Sequence, residues 1–214
     1  MKIKLLIFLL ISTISANAQI TKNDILNIDT EYNLLNTANH PKSKGIDMSI
    51  KYPKNWSVKD GRRPNILYLV SDEDGNSFAL QIRDISNKFP ESVLKEIKAD
   101  EKETRKEIAN AIFPNEKNCK EFLNEIPGLT SISAQKCKMT KIEGIDSSYN
   151  SYFAEGERTD FKATIFFINY SIYYNLKLIT VAFAFEKNEK LNVENAEIFA
   201  KKIANTIIIN NLYR

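Results

Sequence analysis

Met48-Ser49-Ile50-Lys51-Tyr52-Pro53 alternates apolar and polar positions, the pattern of a half-buried strand. Pro53 predicts its end, because proline removes a ladder donor. Trp56 and Val58 continue the period of two. Ile66 to Val70 and Phe78 to Ile85 are two further strand-like runs. The Asp74-Gly75 pair between them predicts a hairpin. The period then changes. Val93, Leu94, Ile97, Ile108, Ala109, Ile112 and Phe113 fall on one helical stripe, so a helix is expected over 91–113 between Pro90 and Pro114. A short second helix is expected over 118–125, broken by Pro127-Gly128.

From Thr130 the chain turns strand-rich, with strands expected near 131–142, 146–155, 161–171 and 175–185. Breaks are expected at Glu143-Gly144, Gly156-Glu157 and Tyr174-Asn175. The last two strands read as apolar on both faces, which implies cover on both sides. Val193, Ala196, Phe199, Ala200, Ile203, Ala204 and Ile207 make the stripe of a final helix over 192–209. Short breaks between strands demand antiparallel neighbours. Strand runs separated from helices give an α+β fold: an antiparallel sheet flanked by helices, and an α/β/α sandwich if both faces are covered. Before this domain, residues 19–45 are polar. There Ile25, Ile28, Leu34 and Leu35 form either a short helix or the anchors of an N-terminal arm.

The first residues change the picture. Lys2 and Lys4, the apolar run Leu5 to Ile11 and the Ala16-Asn17-Ala18 pattern have the layout of a cleaved secretory signal. The run is too short for a bilayer, which needs roughly 20 apolar residues. The expected organisation is a signal over 1–18, an arm over 19–45 and a single domain over 46–214. The mature chain would start at Gln19 and be soluble, in the periplasm or outside the cell; a lipid anchor would need a cysteine at that position. Abundant Asn, Lys and Ile suggest an AT-rich bacterial genome. Removing the two signal lysines lowers the net charge from +3 to +1, which argues against a nucleic-acid binder. Two cysteines, Cys119 and Cys137, suggest a disulfide in an exported chain. It would close a loop of about 18 residues and contribute about 3 kcal/mol; two buried free thiols are the other reading.

A strand ending in Tyr52-Pro53, then Lys54-Asn55-Trp56, opens the domain. An Arg63-Pro64-Asn65-Ile66 entry into a hairpin follows, then a charged amphipathic helix, a four-strand meander and a C-terminal amphipathic helix. Over residues 46–212 this resembles the PsbP-like family, which includes an extrinsic subunit of photosystem II and small exported bacterial proteins such as DcrB. The resemblance implies a fold that mostly binds partners, and it implies no catalytic set. The arm and the Cys119–Cys137 segment are additions to that pattern.

Candidate chemistry is sparse. Asp72, Asp74 and Asn76 invite a calcium reading, but an EF-hand counted from Asp72 would need glycine where Ser77 stands and glutamate where Arg83 stands. A solvated hairpin tip is expected instead. His40, the single histidine, lies in a polar segment before Pro41 and reads as a surface residue, which removes most imidazole-dependent hydrolysis. Two cysteines and one histidine make no zinc set. Glu143, Asp146, Glu155, Glu157 and Asp160 stand near strand ends, with nothing to mark two of them as a pair. No phosphate loop is present, and no cofactor is expected. Tyr149, Tyr152, Tyr170, Tyr173 and Tyr174 concentrate in the meander as either sheet packing or a partner surface. Arg62 and Arg63 read as either a solvated turn or a site for an acidic partner. Trp56 reads as a core anchor. The function expected is a non-enzymatic, exported protein-binding module of the bacterial envelope, for instance an immunity or accessory protein. Its partner would be another protein, with no nucleic acid and no membrane span. A small carboxylate-dependent hydrolase is one alternative. A small-ligand carrier using the space between sheet and helix is the other.

Overall fold

The structure, a computed structural model, describes residues 31–100, 104, 107–108, 111–112, 129–140, 149–158, 163–187 and 191–213. In chain order its regular elements are β1 (Tyr32–Asn36), β2 (Met48–Pro53), β3 (Ser57–Asp60), β4 (Ile66–Ser71), β5 (Ser77–Asp84), α1 (Glu91–Ala99), β6 (Leu129–Thr140), β7 (Tyr149–Arg158), β8 (Ala163–Tyr174), β9 (Lys177–Glu186), α2 (Val193–Ala204) and β10 (Ile208–Ile209). They build two antiparallel sheets. The small sheet runs β1-β2-β10 and the large one β3-β4-β5-β9-β8-β7-β6. The fold is α+β.

The Pro53-to-Trp56 segment is a turn, closed by the Trp56 N–H donating to the Pro53 carbonyl at 3.0 Å. It carries the chain from the small sheet into the large one. Gly75, at φ +89°, closes the β4–β5 hairpin in the left-handed region that glycine adopts at no steric cost. Asn175 and Leu176, both at positive φ, make the two-residue turn between β8 and β9.

One face of the large sheet holds the main core. Phe78, Leu80 and Ile82 from β5, Ile179, Val181, Phe183 and Phe185 from β9, and Phe166, Ile168, Tyr170 and Ile172 from β8 all point there. The Ala196, Phe199, Ala200, Ile203 and Ala204 stripe of α2 covers them, together with Leu35, Met48, Ile50 and Ile209 of the small sheet. Trp56 is the anchor expected, with its ring stacked on Phe199 at 5.5 Å and 6.2 Å from Phe78. On the other face, at one end, Val93, Leu94 and Ile97 of α1 cover Tyr173, Leu176 and Leu178.

Several elements differ from expectation. Leu34 and Leu35 are in strand β1, paired along its length with β2, so the described part of the arm is woven into the fold. Helix α1 stops at Asp100, which at φ −145° leaves the helical region. Its carbonyl then accepts from the Thr104 N–H and hydroxyl, and helical geometry resumes. Gly156 lies inside β7, opposite Ile165, and does not break the strand. The final helix ends at Ala204. Thr206 to Ile209 are β-branched, and β2 offers a free edge, so Ile208 and Ile209 pair with Ser49 and Met48 instead. The expected signal over 1–18, the helix over 118–125, the Glu143-Gly144 break and Cys119 lie outside the described residues; Cys137 stands on β6, opposite Tyr152.

Replacing Phe199 by alanine should lower stability by about 3–5 kcal/mol in urea denaturation, the range for deleting a buried aromatic ring. A second expectation concerns acid. Burial opposes ionisation of Asp84, but hydrogen bonds from Lys177 (2.8 Å) and Ser86, and the Lys177 charge, outweigh it and hold the carboxyl well below the usual range. Its folded pKa is depressed, so its stabilisation is complete above the ordinary aspartate pKa of about 3.9 and is lost as pH falls below that. Asp84→Asn should therefore flatten the loss of stability as the pH falls below about 4, with no change in slope above it, measured by urea midpoints.

Candidate functional site

Strand alternation gives the large sheet a second face very unlike the first. The register sets Gln81 opposite Thr180, Thr180 opposite Ser171 and Ser171 opposite Asn150, a polar row across four strands. The next row on that face is Ala79, Ala182, Asn169 and Tyr152, and the row after it holds Ser77, Ala184, Phe167 and Ala154. On this face Asn169, Ser171 and Thr180 interrupt an otherwise largely apolar set, Ile165, Phe167 and Tyr173 on β8 and Leu178, Ala182 and Ala184 on β9. Ala79, Ala182 and Ala184 form a half-buried patch of small side chains on it. Polar groups border it on the side nearest α1.

Asn169, Ser171 and Thr180 are 6%, 4% and 6% exposed. The two hydroxyls bond each other at 3.1 Å, and the Asn169 Nδ2 reaches the Ser171 Oγ at 3.4 Å. Asn169 Oδ1 is buried with no hydrogen-bond partner. An unpaired buried acceptor costs about 1–3 kcal/mol. On the same face, Arg83 follows Gln81 on β5, and its Nε is also buried without a partner. Among the described residues this face offers an acceptor, a cation and a patch of small apolar side chains, and no nucleophile paired with a base. It suits binding. Among the described residues no three His, Cys, Asp or Glu side chains converge as a metal set.

The residues singled out from the sequence fall elsewhere. Tyr170 is in the main core, edge-on to Phe183 at 6.2 Å; burial, with the Glu197 carboxylate nearby, pushes its phenol well above the usual range. Tyr173 is fully buried against α1. Neither is available to a partner, because β8 is a central strand covered on both sides and its large aromatic area goes to packing. Tyr149 and Tyr152 stand on β7, opposite Ile172 and Asn169, so they belong to opposite faces. Arg62 and Arg63 are exposed in the β3–β4 loop. The carbonyls of Gly61, Arg63 and Ile66 in that loop all accept from Lys42 Nζ, the last two at 3.2 and 3.3 Å. Gly61 is required there, since a Cβ would clash with the Ile66 carbonyl oxygen and side chain.

His40 is not a surface residue. Its side chain is 7% exposed, and its ring packs edge-on to Tyr68 at 4.7 Å. Nδ1 accepts from the Lys42 N–H at 3.1 Å, and Nε2 is 3.9 Å from an Asp60 oxygen. The Tyr68 hydroxyl donates to the Asn36 carbonyl, so this cluster clamps the arm to β4. Burial, then the Asp60 charge, raises the Tyr68 phenol. Asp72 spends its carboxylate on the hairpin: Oδ1 accepts from the Asp74 and Asn76 N–H groups and Oδ2 from Asn76 Nδ2. Of the carboxylates near strand ends, Glu143, Asp146 and Asp160 lie outside the described residues. Glu155 and Glu157 stand on β7, opposite Phe166 and Thr164. The second-face site was missed because its members are ordinary strand residues. The one signal was Asn169 and Ser171 interrupting the otherwise apolar run of β8.

No protein-family model matches the chain, and no curated protein matches it. Among solved structures it resembles, at the level of fold, the cyanobacterial PsbP (CyanoP) of Synechocystis sp. PCC 6803, determined in solution. The TM-score is 0.49 at 13% identity, over 82% of this chain and 92% of that one. These comparisons indicate no catalytic family. No helix among the described residues is long and apolar enough to cross a membrane.

Side chains placed for binding and not for stability carry a signature. Asn169→Leu removes the unpaired acceptor at similar volume and should leave stability unchanged or raise it by about 1 kcal/mol. Ser171→Ala strips a partner from both Asn169 and Thr180 and should cost about 1–2 kcal/mol. Thermal and urea denaturation of both variants checks the pair.

Proposed function

We propose that this chain is an exported binding protein without a catalytic step, and that it carries a small ligand on the second face of its large sheet. The observation that supports this most directly is Asn169 Oδ1, buried and unpaired on the row that holds the half-buried Ala79 and Ala182. Of the readings open from the sequence, the ligand carrier working between sheet and helix fits this geometry. The tyrosine-based protein surface loses Tyr170 and Tyr173 to packing. Export rests on the signal-like start, with Gln19 as the first mature residue, in the periplasm or outside the cell.

A protein partner has one observation in its favour. Leu34 and Ile208, 61% and 51% exposed, stand on the outer face of the small sheet on either side of β2. That pair is a smaller apolar area than partner surfaces usually present.

Native mass spectrometry of the protein purified from its own cells separates these readings. The expected result is a chain starting at Gln19 that carries a small-molecule mass, released on denaturation and absent from Asn169→Leu. A bare chain mass, with a second polypeptide bound in its place, would overturn the ligand reading in favour of the protein partner.

A further inference from the structure

We propose that the loop between β3 and β4 is a docking surface for a protein partner, and that Arg62 and Arg63 hold the carboxylates of an acidic segment on that partner. The fold gathers cations at this loop from two parts of the chain. Lys42 and Lys44 reach it from the segment between β1 and β2. Lys42 Nζ donates to the carbonyls of Gly61, Arg63 and Ile66, and Lys44 Nζ donates to Asn65 Oδ1 at 2.7 Å. Arg62 and Arg63 stand on the same loop, both exposed. Among the described residues no carboxylate forms an ion pair with Lys42, Lys44, Arg62 or Arg63. The acid next to the loop, Asp60 at the end of β3, has a side chain 84% exposed, with His40 Nε2 at 3.9 Å. Like charges gathered without an acid repel one another, and an incoming anion relieves that repulsion.

The backbone that carries the two arginines is fixed before any partner arrives. The Ile66 N–H donates to the Arg63 carbonyl at 3.1 Å and closes a turn with Pro64 at its second position, where the fixed proline φ is favoured. The Gly61 N–H donates to the Leu67 carbonyl at 2.8 Å, and the Ile82 N–H of β5 to the Asn65 carbonyl at 2.9 Å. A loop already held in place loses little freedom on binding. The guanidinium groups take no part in these bonds. Each is a planar fork that matches a carboxylate in two parallel hydrogen bonds. The number of cations selects the partner. An anionic lipid surface is met by clusters of about 4–8 Lys and Arg. This loop exposes Arg62, Arg63 and Lys44, while Lys42 is spent on carbonyls, and a bilayer would also meet the exposed Asp60. Two adjacent arginines suit a short run of aspartate and glutamate in a polypeptide. Asn169, Ser171 and Thr180 take no part in this contact, which is therefore tested separately from the ligand reading.

The probe is a synthetic peptide of alternating aspartate and glutamate, beside the same peptide in asparagine and glutamine. Each is titrated into the full mature chain, with binding followed by amide chemical shifts. The acidic peptide should shift Lys44, Gly61, Arg62, Arg63 and Asn65, and the neutral one none of them. Its affinity should fall at least about threefold as salt rises from about 50 to about 300 mM, because salt screens exposed charges. Arg62→Gln with Arg63→Gln should weaken binding about tenfold, about threefold for each exposed pair. Arg62→Lys with Arg63→Lys, which keeps the charge without the fork, should fall between. If the acidic peptide leaves these amides unmoved, or the glutamine variant binds it as well as the wild type does, the assignment is overturned. Sedimentation with phosphatidylglycerol vesicles tests the other source of anion. Vesicles that capture the wild type and not the glutamine variant, where the peptide does not bind, would make this a lipid-facing surface and overturn the protein partner.

Discussion

Between the large sheet and helix α2, the Phe199 ring lies flat against Trp56 and edge-on to Phe185 at 5.8 Å. Phe183 stacks on Phe185 and reaches Phe78 at 5.3 Å. This chain of rings joins three parts of the sequence: the turn after β2, the central strands β5 and β9, and the last helix. Aromatic side chains bury 150–250 Å² each on typical figures, and their edge and face contacts add direction to that area. The small sheet leans on the same contacts, because the Trp56 turn is its link to the large one. Once α2 is docked on this cluster, its end is placed beside β2, and Ile208 and Ile209 complete the small sheet.

One face of the large sheet therefore needs no further explanation. The other carries a row of buried hydroxyl and amide groups where apolar residues would pack as well. Thr180 and Ser171 satisfy each other, while Asn169 and Arg83 each keep a buried polar atom unpaired. A folded domain rests on a margin of only about 5–15 kcal/mol, so two such groups on one face are a substantial cost. Costs of this kind gather at functional sites, where local rules are broken for a reason outside folding.

The N-terminal part shows a different use of polar groups. Lys42 draws three loop carbonyls to its ammonium, and His40 packs between the arm and Tyr68. His40 is the single histidine of the sequence, and Lys42 stands two residues after it. Each is occupied in holding β1 and the β3–β4 loop in place, the Lys42 ammonium on backbone carbonyls and the His40 ring between the Lys42 N–H and the Asp60 carboxylate.

Local pattern determined much of this protein. Alternation defined β2 and strand-like runs defined β4 and β5; Asp74-Gly75 defined the hairpin between β4 and β5, and a helical stripe defined α2, because each signal lies within a few residues and needs no distant partner. Trp56 was legible as an anchor for the same reason. What only the tertiary structure decided were matters of pairing. Leu34 and Leu35 became strand because β2 offered an edge, and the chain after Ala204 left its helix for the opposite edge of β2. Tyr170 and Tyr173 were buried because β8 came to lie at the centre of the sheet. The candidate site belongs wholly to this second kind. Asn169, Ser171, Thr180, Gln81 and Arg83 are spread over three strands separated by up to about 100 residues, and only sheet register, set by long-range backbone hydrogen bonding, brings them to one face.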